Sequence, residues 1–456
     1  MFGSNPANAA DIEVTLAPSD GEAWIATYSF SKPRAGFLFM VQGTSHHSRY
    51  WKALDPDVTI QSIAGLDTVV FDKPKQQVQF EILPAERWLK RSGITSSRSQ
   101  DGGAVISSSE FVVLPFKNVK KVVKLDGDIR KILKRSNIKS HILKLGFERP
   151  HRVLTGKVTD GLLEFDALDD MYIYLADDGQ NIGGHVIVDR TMNSEIRRSF
   201  LSDVEKIKTY LSSKWNSKLE TTPQTVMLYR DLGIPLVWGG GVALDGEAIV
   251  MEYQGDIHSR NVPQVSNELA QLFAHEFVHI FQQQDIPQKD IKSSWMFEGT
   301  ADLIELYVLY EIGRLNDQDV MKEFSNKYET CSGALVGRPD HFRGGSRSRL
   351  YDCGALLMLI TDKAIGDKDI YEFWNVLAKN TGSVLEISDY YDTLRELGIS
   401  QQQAKDIQNI VQNRIEAASL DSQNTHYLNQ LKDIMVAVGL NPEFDQNGNL
   451  VSLNWR

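Results

Sequence analysis

Short runs of alternating apolar and polar residues dominate the first third of the chain, from about residue 11 to residue 151. Two examples are Ala23–Tyr28 and Gln77–Ile82, and clusters of Gly, Pro, Asn, Asp and Ser separate such runs. A period of two places every second side chain on one face of a β-strand, and many such strands joined by turns are typical of a β-sandwich. We therefore expect a β-sandwich-like domain over residues 1–193. Its Ser- and Gly-rich stretch Ser92–Gly103 is expected to be a mobile loop.

The pattern changes near residue 194. Apolar residues then recur every three to four positions, which predicts a helix over Glu195–Lys214. Two strands follow, at Thr225–Tyr229 and Ala248–Tyr253, and the rest of the chain is predicted to be mostly helical. The predicted fold class is therefore α+β, with a second domain over residues 194–456 whose helical lobe starts at about residue 314.

Composition is that of a soluble globular protein, with 456 residues, 42% hydrophobic residues and 24% charged residues. That length suits two or three domains. The longest apolar run, Ala355–Ile360, is much shorter than the roughly 18 residues of a membrane span, so we expect none. Localisation stays open, although the small-residue spacing of Ala7–Ala9 favours export, to the periplasm or the cell exterior, over a cytoplasmic location. Cys331 and Cys353 form either a disulfide or two buried thiols.

The segment His275-Glu276-Phe277-Val278-His279 carries the most informative chemistry, and it lies where the apolar spacing predicts a helix from about Ser266 to Gln284. His275 and His279 lie one turn apart on one face of such a helix. Two neutral imidazoles in that arrangement can bind one Zn²⁺, while Glu276 beside them is free to take a proton from a water molecule. The same pattern also arises by chance, and in that case both histidines are ordinary helix residues.

A catalytic zinc ion usually takes three protein ligands, so a third donor must come from another part of the chain. Glu298 begins a second predicted helix, which extends to about Gly313, and Glu298, Asp302 and Glu305 share one face of it. Such a row suits a metal ligand followed by a carboxylate that orients a ligating histidine through its other ring nitrogen. Gly299 would let the two helices approach closely. The competing interpretation of the row is a solvated acidic face.

These motifs resemble those of the gluzincin metallopeptidases, in particular the aminopeptidase N family and the glycyl aminopeptidase family. Eighteen residues separate His279 from Glu298, which is the spacing of those families, and Trp295–Ala301 is similar to their tryptophan, glutamate, glycine and alanine signature. The resemblance implies a thermolysin-like catalytic domain over residues 194–456 with one zinc ion per chain. It implies that His275, His279 and Glu298 are the zinc ligands and that Glu276 is the general base. Asp302 would be the aspartate that contacts a ligand and not the zinc ion itself.

A second stretch of resemblance is Leu350–Leu357, which is similar to the tyrosine, any residue, lysine, glycine motif that opens a downstream helix in both families. It implies that Tyr351 stabilises the oxyanion, although Cys353 stands where lysine is usual. On its own, Tyr351 could also be a packed aromatic at a helix start. His341 and Arg347 precede it and could line the same cleft, but proximity in sequence is their only support.

The resemblance ends at the segment that binds the amino group of the substrate. Both families place a glutamate in a glycine-rich run upstream of the zinc helix, whereas Trp238–Glu247 has no glutamate at the corresponding place. Asp245 and Glu247 are the candidate replacements, with Gly240 and Gly241 as further candidates for substrate binding. We expect the glycines to form a turn before an edge strand at about Ala248, which could pair with an extended peptide.

The sequence therefore predicts a zinc-dependent metallopeptidase, with Glu276 as the base and Tyr351 as the donor to the oxyanion. Three possibilities stay open: an aminopeptidase-like enzyme, which the resemblance favours, an endopeptidase of the same fold, and a non-catalytic peptide-binding protein with a retained zinc site. The expected partner is a peptide or protein substrate, and the oligomeric state is not predicted. Lys117–Arg152 carries twelve Lys or Arg against three acids, but with little aromatic interleaving we assign no nucleic-acid function.

Overall fold

The computed structural model describes residues 12–19, 23–39, 46–83, 97–123, 142–147, 151–155, 163–166, 172–176, 184–233, 238–290, 293–335, 349–412 and 420–456. The chain divides into two compact units. The first comprises Met1–Met192, Gln224–Trp238 and Glu252–Ile257, and the second comprises Asn193–Pro223, Gly239–Met251 and His258–Arg456. Neither unit is therefore continuous in sequence.

In the residues that the structure describes, the first unit is built mainly from strands, with the short α-helices α1 (His46–Tyr50) and α2 (Lys120–Val123) and a 3-10 turn at Ser108–Phe111. In chain order the strands are β1 Ile12–Pro18, β2 Trp24–Phe39, β3 Trp51–Ala53, β4 Val58–Ile63, β5 Leu66–Ile82, β6 Ser97–Arg98, β7 Ala104–Ser107, β8 Val113–Phe116, β9 Ile142–Phe147, β10 His151–Val153, β11 Leu163–Asp166, β12 Tyr172–Leu175, β13 Val186–Val188 and β14 Gln224–Arg230. One sheet has the order β11-β9-β1-β2-β5-β3, with β4 paired to β5 and β8 paired to β2. Another sheet has the order β10-β12-β7-β6.

These two sheets share one hydrophobic core. Tyr28, Phe37 and Phe80 come from the larger sheet, and Ile106 and Ile173 come from the smaller one. The alternation that predicted strands is visible in β2, where every second side chain from its first residue is buried over the first seven positions. The α+β class with an N-terminal sheet domain is thus confirmed, and the shared core makes that domain sandwich-like.

Part of the stretch expected to be a mobile loop is instead ordered and buried. Ser97 lies in β6, and its hydroxyl donates to Glu252 Oε1 at 2.8 Å. Ser99 is also buried, and its hydroxyl donates to the carboxylate of Asp189. The prediction for Ser92–Gly103 was therefore wrong for its described residues, because acids distant in sequence use the serines as hydrogen-bond donors. The remainder of the stretch lies outside the described residues.

The second unit is mostly helical. Its longer helices are α3 Ser194–Lys214, α4 Val262–Asp285, α5 Ser294–Glu311, α6 Asp317–Leu335, α7 Gly354–Ala364, α8 Ile370–Asn380, α9 Ile387–Glu396, α10 Gln401–Gln412 and α11 Leu420–Ala437. A π-helical turn, Arg349–Cys353, directly precedes α7, and a small hairpin of β17 (Glu443–Phe444) and β18 (Leu450–Ser452) follows α11. Among the helices that the structure describes, none combines the length and the apolar character that crossing a lipid bilayer requires.

Helix α4 is the buried element around which this unit packs. A proline stands in its first turn, where the missing N–H costs no helical hydrogen bond. Phe273 stacks on Phe277 with ring centroids 5.4 Å apart, and it also contacts Phe200 of α3 edge-on at 6.0 Å. Phe281, one turn further, stacks on Trp215 at 4.9 Å. This aromatic stripe fixes the rotation of α4 and so decides which residues form its other faces.

A hairpin made of β15 (Trp238–Leu244) and β16 (Ala248–Gln254) precedes α4. Its turn contains Asp245 and Gly246, with φ of 47° and 73°, which is the left-handed conformation that tight hairpins require. The glycine run therefore lies within strand β15, at the edge of its sheet, and not in a turn before an edge strand at Ala248. The physical reason is that the turn uses the later pair Asp245 and Gly246 instead.

Two glycines allow two helices of the second unit to approach closely. A Cβ added to Gly299 of α5 would lie 2.5 Å from Gly354 Cα, and one added to Gly354 would lie 2.7 Å from Trp295 O. Gly299 therefore lets α5 approach the start of α7, rather than α4 as the sequence suggested. This crossing brings the Arg349–Cys353 turn next to the beginning of α5.

A disulfide between Cys331 and Cys353 settles the alternative that the sequence left open. It joins α6 to the last residue of the π-helical turn, with the two Cα atoms 4.9 Å apart. The turn that carries Tyr351 is therefore held by a covalent bond on one side and by the glycine crossing on the other.

We expect Gly299→Ala to destabilise the chain by about 1–3 kcal/mol, because the added methyl group meets backbone atoms that cannot rotate away. Gly382→Ala is a matched control, since nothing lies within 4 Å of a Cβ added there. Denaturant unfolding of both variants measures the difference. Equal stability of the two variants would contradict the close crossing.

Candidate active site

Three side chains from two neighbouring helices converge on one point. His275 and His279 lie one turn apart in α4, and Glu298 lies near the start of α5. His279 Nε2 is 3.1 Å from His275 Nε2 and 3.1 Å from Glu298 Oε2, and His275 Nε2 is 3.5 Å from the same carboxylate oxygen. Both histidines are buried, with 8% of each residue exposed. The three atoms therefore form a small triangle in a largely buried place.

The triangle has the size of one face of a zinc coordination sphere. A tetrahedral zinc ion with bonds of about 2.0–2.1 Å keeps its ligand atoms roughly 3.3–3.4 Å apart. The separations of 3.1, 3.1 and 3.5 Å lie around that value, and these three residues form a group that could hold a metal ion. Three protein ligands leave the fourth corner for water or substrate, as in catalytic sites.

Carboxylates behind His275 hold its other ring nitrogen. Nδ1 is 3.0 Å from Asp302 Oδ1 and 3.3 Å from Glu305 Oε2, and Gln271 donates to the second oxygen of Glu305 at 2.7 Å. Burial alone would lower the pKa of His275, but Asp302, Glu298 and Glu305 together raise that pKa well above its ordinary value. The surroundings therefore favour positive charge at His275, which either a proton or a metal cation supplies.

Lys327 of α6 balances part of this negative charge. Its Nζ is 2.5 Å from Asp302 Oδ2 and 3.8 Å from Asp352 Oδ1. Burial lowers the pKa of Lys327, but Asp302 and Glu305 raise it by more, so the ammonium group stays charged. His275, Asp302 and Glu305 are close enough to form a second metal-ligating group. Because Lys327 already supplies a cation beside Asp302, we assign that group to the support of His275.

His279 is oriented by a buried glutamine. Gln282 Nε2 donates to the backbone carbonyl of Phe297 at 3.1 Å, and a carbonyl can only accept. Its Oε1 therefore faces His279 Nδ1, at 2.6 Å, so that this ring nitrogen must carry the hydrogen. The acceptor Asp302 acts in the same way on His275. When both rings are neutral, as a metal ligand must be, each Nε2 atom is thus left with a lone pair that points into the triangle.

The direction of these lone pairs decides whether a cation fits. Two imidazole lone pairs and a carboxylate oxygen within 3.1–3.5 Å of one another repel unless a positive charge lies between them. Zinc accepts neutral imidazole nitrogen and carboxylate oxygen as ligands. The donor set of His275, His279 and Glu298 therefore fits a zinc ion.

The second oxygen of Glu298 faces a lysine. Lys289 Nζ is 3.4 Å from Glu298 Oε1 and lies over the ring of Phe297, 4.4 Å from its centroid. Burial would raise the pKa of Glu298, but His279, His275 and Lys289 lower it far below its ordinary range. Glu298 is therefore an ionised carboxylate with one oxygen directed at the histidines and the other at an ammonium group.

Glu276 lies on α4 beside the first histidine and is buried, with 7% of the residue exposed. Strand β15 passes directly over it. A Cβ added to Gly241 would lie 2.6 Å from Glu276 Cγ and 2.9 Å from its Oε1. The strand can therefore pass this close to the carboxylate only because residue 241 has no side chain.

Tyr351 packs against the same cluster from the π-helical turn. Its ring stacks on His275, with centroids 5.6 Å apart and planes 22° apart, and its hydroxyl lies near the Glu298 carboxylate. Burial and the charge of Glu298 raise the pKa of Tyr351, so the hydroxyl keeps its proton. A protonated phenol in this place is a hydrogen-bond donor.

Other residues singled out in the sequence lie elsewhere. Gly240 neighbours Gly241 in β15, whereas Asp245 and Glu247 are exposed at the hairpin turn. That turn is tied to the end of α4, about two helical turns from Glu276, through a hydrogen bond from Gly246 N to Gln283. A role for Asp245 or Glu247 in anchoring substrate stays a prediction. Three further predictions, for His341, for Arg347 and for most of Lys117–Arg152, lie outside the described residues.

Among the described residues, sequence reasoning missed four side chains that contact the cluster: Gln271, Gln282, Lys289 and Lys327. Gln282 left one signal, since it follows His279 by three positions and so shares its helical face. Lys289 follows α4, and Lys327 lies on α6, 25 residues from Asp302 in the chain. Neither lysine belongs to a motif, so no local pattern could have indicated it.

Comparison with known proteins gives a similarity in structure only. No family model matches the chain, and no curated protein matches its sequence. An aminopeptidase N family protein from Idiomarina loihiensis is similar in structure with a TM-score of 0.58 and 12% identity, over 91% of this chain and 78% of that one. An M1 zinc metallopeptidase from Deinococcus radiodurans aligns with a TM-score of 0.42 and 13% identity, over 90% of this chain and 94% of that one. The first similarity shows that this chain has the fold of an aminopeptidase N family protein.

We expect Gly241→Ala to slow any hydrolysis that depends on Glu276 by about 100-fold, because the new methyl group displaces that carboxylate. Zinc binding should be unchanged, since Glu276 supplies none of the three donor atoms that converge. Gly382→Ala is the control, because nothing lies within 4 Å of a Cβ added there. Steady-state kinetics and metal content of both variants test this, and similar activity of the two would refute the steric argument.

Proposed function

We propose that the chain is a zinc-dependent metallopeptidase, with an aminopeptidase-like active site on a thermolysin-like catalytic domain. The observation that carries this proposal is the convergence of His275, His279 and Glu298, whose donor atoms lie 3.1–3.5 Å apart with lone pairs directed inward. The fold shared with an aminopeptidase N family protein supports the same assignment. One zinc ion per chain is proposed.

The other side chains of the site, Glu276, Tyr351 and Asp302, each have a proposed role that their position supports. A zinc ion held by the three ligands would lower the pKa of a water molecule and polarise the scissile carbonyl. Glu276, beside the ligands but not among them, takes the proton from the attacking water and passes it to the leaving amine. Tyr351, protonated and within reach of Glu298, donates a hydrogen bond to the oxyanion. Asp302 keeps His275 in the tautomer that leaves Nε2 free.

Strand β15 is the proposed guide for the substrate backbone. It is the edge strand of its sheet and passes over Glu276, so an extended peptide that paired with it would lie beside the base. The amino-group anchor that defines an aminopeptidase is not identified, because the candidates Asp245 and Glu247 are exposed at the hairpin turn. An endopeptidase of the same fold is therefore the second proposal.

We expect Glu276→Gln to abolish peptide cleavage, with a loss of about 100-fold to 10,000-fold, because the amide cannot accept the proton. The variant should still bind one zinc ion per chain, since the three ligands are untouched. Metal analysis together with cleavage of a mixed peptide library tests both statements. If the unaltered chain binds zinc but cuts nothing, the peptidase proposal falls and the alternative of a non-catalytic peptide-binding protein is favoured.

We expect Tyr351→Phe to lower kcat by about 100-fold to 1,000-fold, because the oxyanion loses one donor while the ring still packs on His275. KM and zinc content should change little. A loss of zinc in this variant would mean that Tyr351 supports the ligands instead of the oxyanion.

Blocking the amino terminus of the substrate separates the two kinds of peptidase. An aminopeptidase should lose activity on acetylated peptides, because the free amine is part of its recognition. An endopeptidase should cut acetylated and free peptides at similar rates and at internal bonds. Mass spectrometry of the products from paired libraries gives the answer, and the cut positions also give the preferred side chains.

A further inference from the structure

Three consecutive glutamines, Gln282–Gln284, stand at the end of α4, and each side-chain amide uses both of its ends. Gln283 bonds to the backbone of the β15–β16 hairpin with its donor and its acceptor. Gln284 bonds in the same way to the backbone of the loop that follows α3. Gln282 differs from both, because one of its two partners is the ring of His279.

Gln282 joins two of the three proposed zinc ligands. Its Oε1 holds Nδ1 of His279, and its Nε2 holds the carbonyl of Phe297, the residue directly before Glu298. The side chain has no measurable exposure to solvent, so water cannot replace either bond without entering the core. The ring of His279 and the backbone that carries Glu298 are therefore fixed relative to each other through one planar amide.

Few side chains at residue 282 can make both of these hydrogen bonds. The group at residue 282 must accept at one end, to keep the hydrogen on His279 Nδ1, and donate at the other end, to satisfy Phe297 O. A methionine fills a similar volume but does neither. A glutamate does both only when it is protonated, and an ionised one would face the carbonyl oxygen of Phe297 with a second acceptor. Glutamine is the neutral side chain of this length that meets both conditions.

We propose that Gln282 is a positioning residue for the metal site, which selects the Nδ1–H tautomer of His279 and sets its distance from Glu298. The inference rests on the proposed zinc site. It assigns no contact with the substrate to Gln282, so its primary effect is on metal affinity. Loss of the outer partner of a metal-ligating histidine typically weakens metal binding by about 10-fold to 100-fold.

The test is the zinc affinity of the full chain, measured by competition with a chelating dye. We expect Gln282→Met to bind zinc about 10-fold to 100-fold more weakly than the unaltered chain. Gln284→Met is the control, since it removes an amide bridge between two backbone groups two residues further along the helix without touching a ligand, and it should bind zinc normally.

A measurement on the unaltered chain keeps the proposal testable if Gln282→Met does not fold. The zinc-loaded protein should show a slowly exchanging ring proton on Nδ1 of His279 in its proton and nitrogen NMR spectra, because the hydrogen is buried in the bond to Gln282. The absence of that protected proton would overturn the proposal.

Two other results also overturn it: normal zinc affinity in Gln282→Met, or an equal loss of affinity in Gln284→Met, which would indicate a general effect on the end of α4. Failure of the proposed function has a different outcome. If zinc binding depends on Gln282 but the unaltered chain cleaves no peptide, the positioning role stands and the peptidase assignment falls. If the unaltered chain binds no zinc, both fall.

Discussion

Lone pairs that point at one another need a cation between them, and much of the second unit acts to keep three of them in that arrangement. The donor atoms of His275, His279 and Glu298 lie 3.1–3.5 Å apart, and each ligand is turned inward by a partner on its other side. For the two histidines the partners are Asp302 and Gln282. Helices α4 and α5 supply all five residues, so the packing of this pair sets the geometry of the site.

The site contains more acidic than basic side chains, and this excess of negative charge adds to its preference for a cation. Glu298, Asp302 and Glu305 all lie within 3.5 Å of a ring nitrogen of His275, while among the described residues Lys289 and Lys327 are the ammonium groups that ion pairs place beside these acids. Charges this close interact by several kcal/mol where water is largely excluded. A divalent cation therefore relieves repulsion as well as gaining ligands. The same acids explain why Lys327 can be buried and still charged.

The spacing of residues along the chain predicted those features of the structure that depend on neighbouring residues. The spacing of apolar residues placed a helix over Ser266–Gln284, inside the observed Val262–Asp285, and the same helix brings His275 and His279 together. Long-range partners were not predictable in this way. Gln282 looks like any polar residue until Phe297 approaches it, and a serine-rich stretch looks like a loop until distant acids accept its hydroxyl hydrogens. The role of Gly299 was misassigned for the same reason, because its neighbour is Gly354 and not α4.

The contact between Gly299 and Gly354 also bears on how this fold can diverge. Side-chain contacts can be rebuilt when one partner changes, because a neighbour can shrink or grow in response, whereas two backbones in contact leave no such compensation. Trp295 O and the Gly299 Cα lie 2.7 Å and 3.0 Å from the place where a side chain at residue 354 would begin. Substitution of either Gly299 or Gly354 is therefore unfavourable, and a change at one position cannot compensate for a change at the other. In any descendant that keeps the crossing, this pair should persist after most of the surrounding sequence has been replaced.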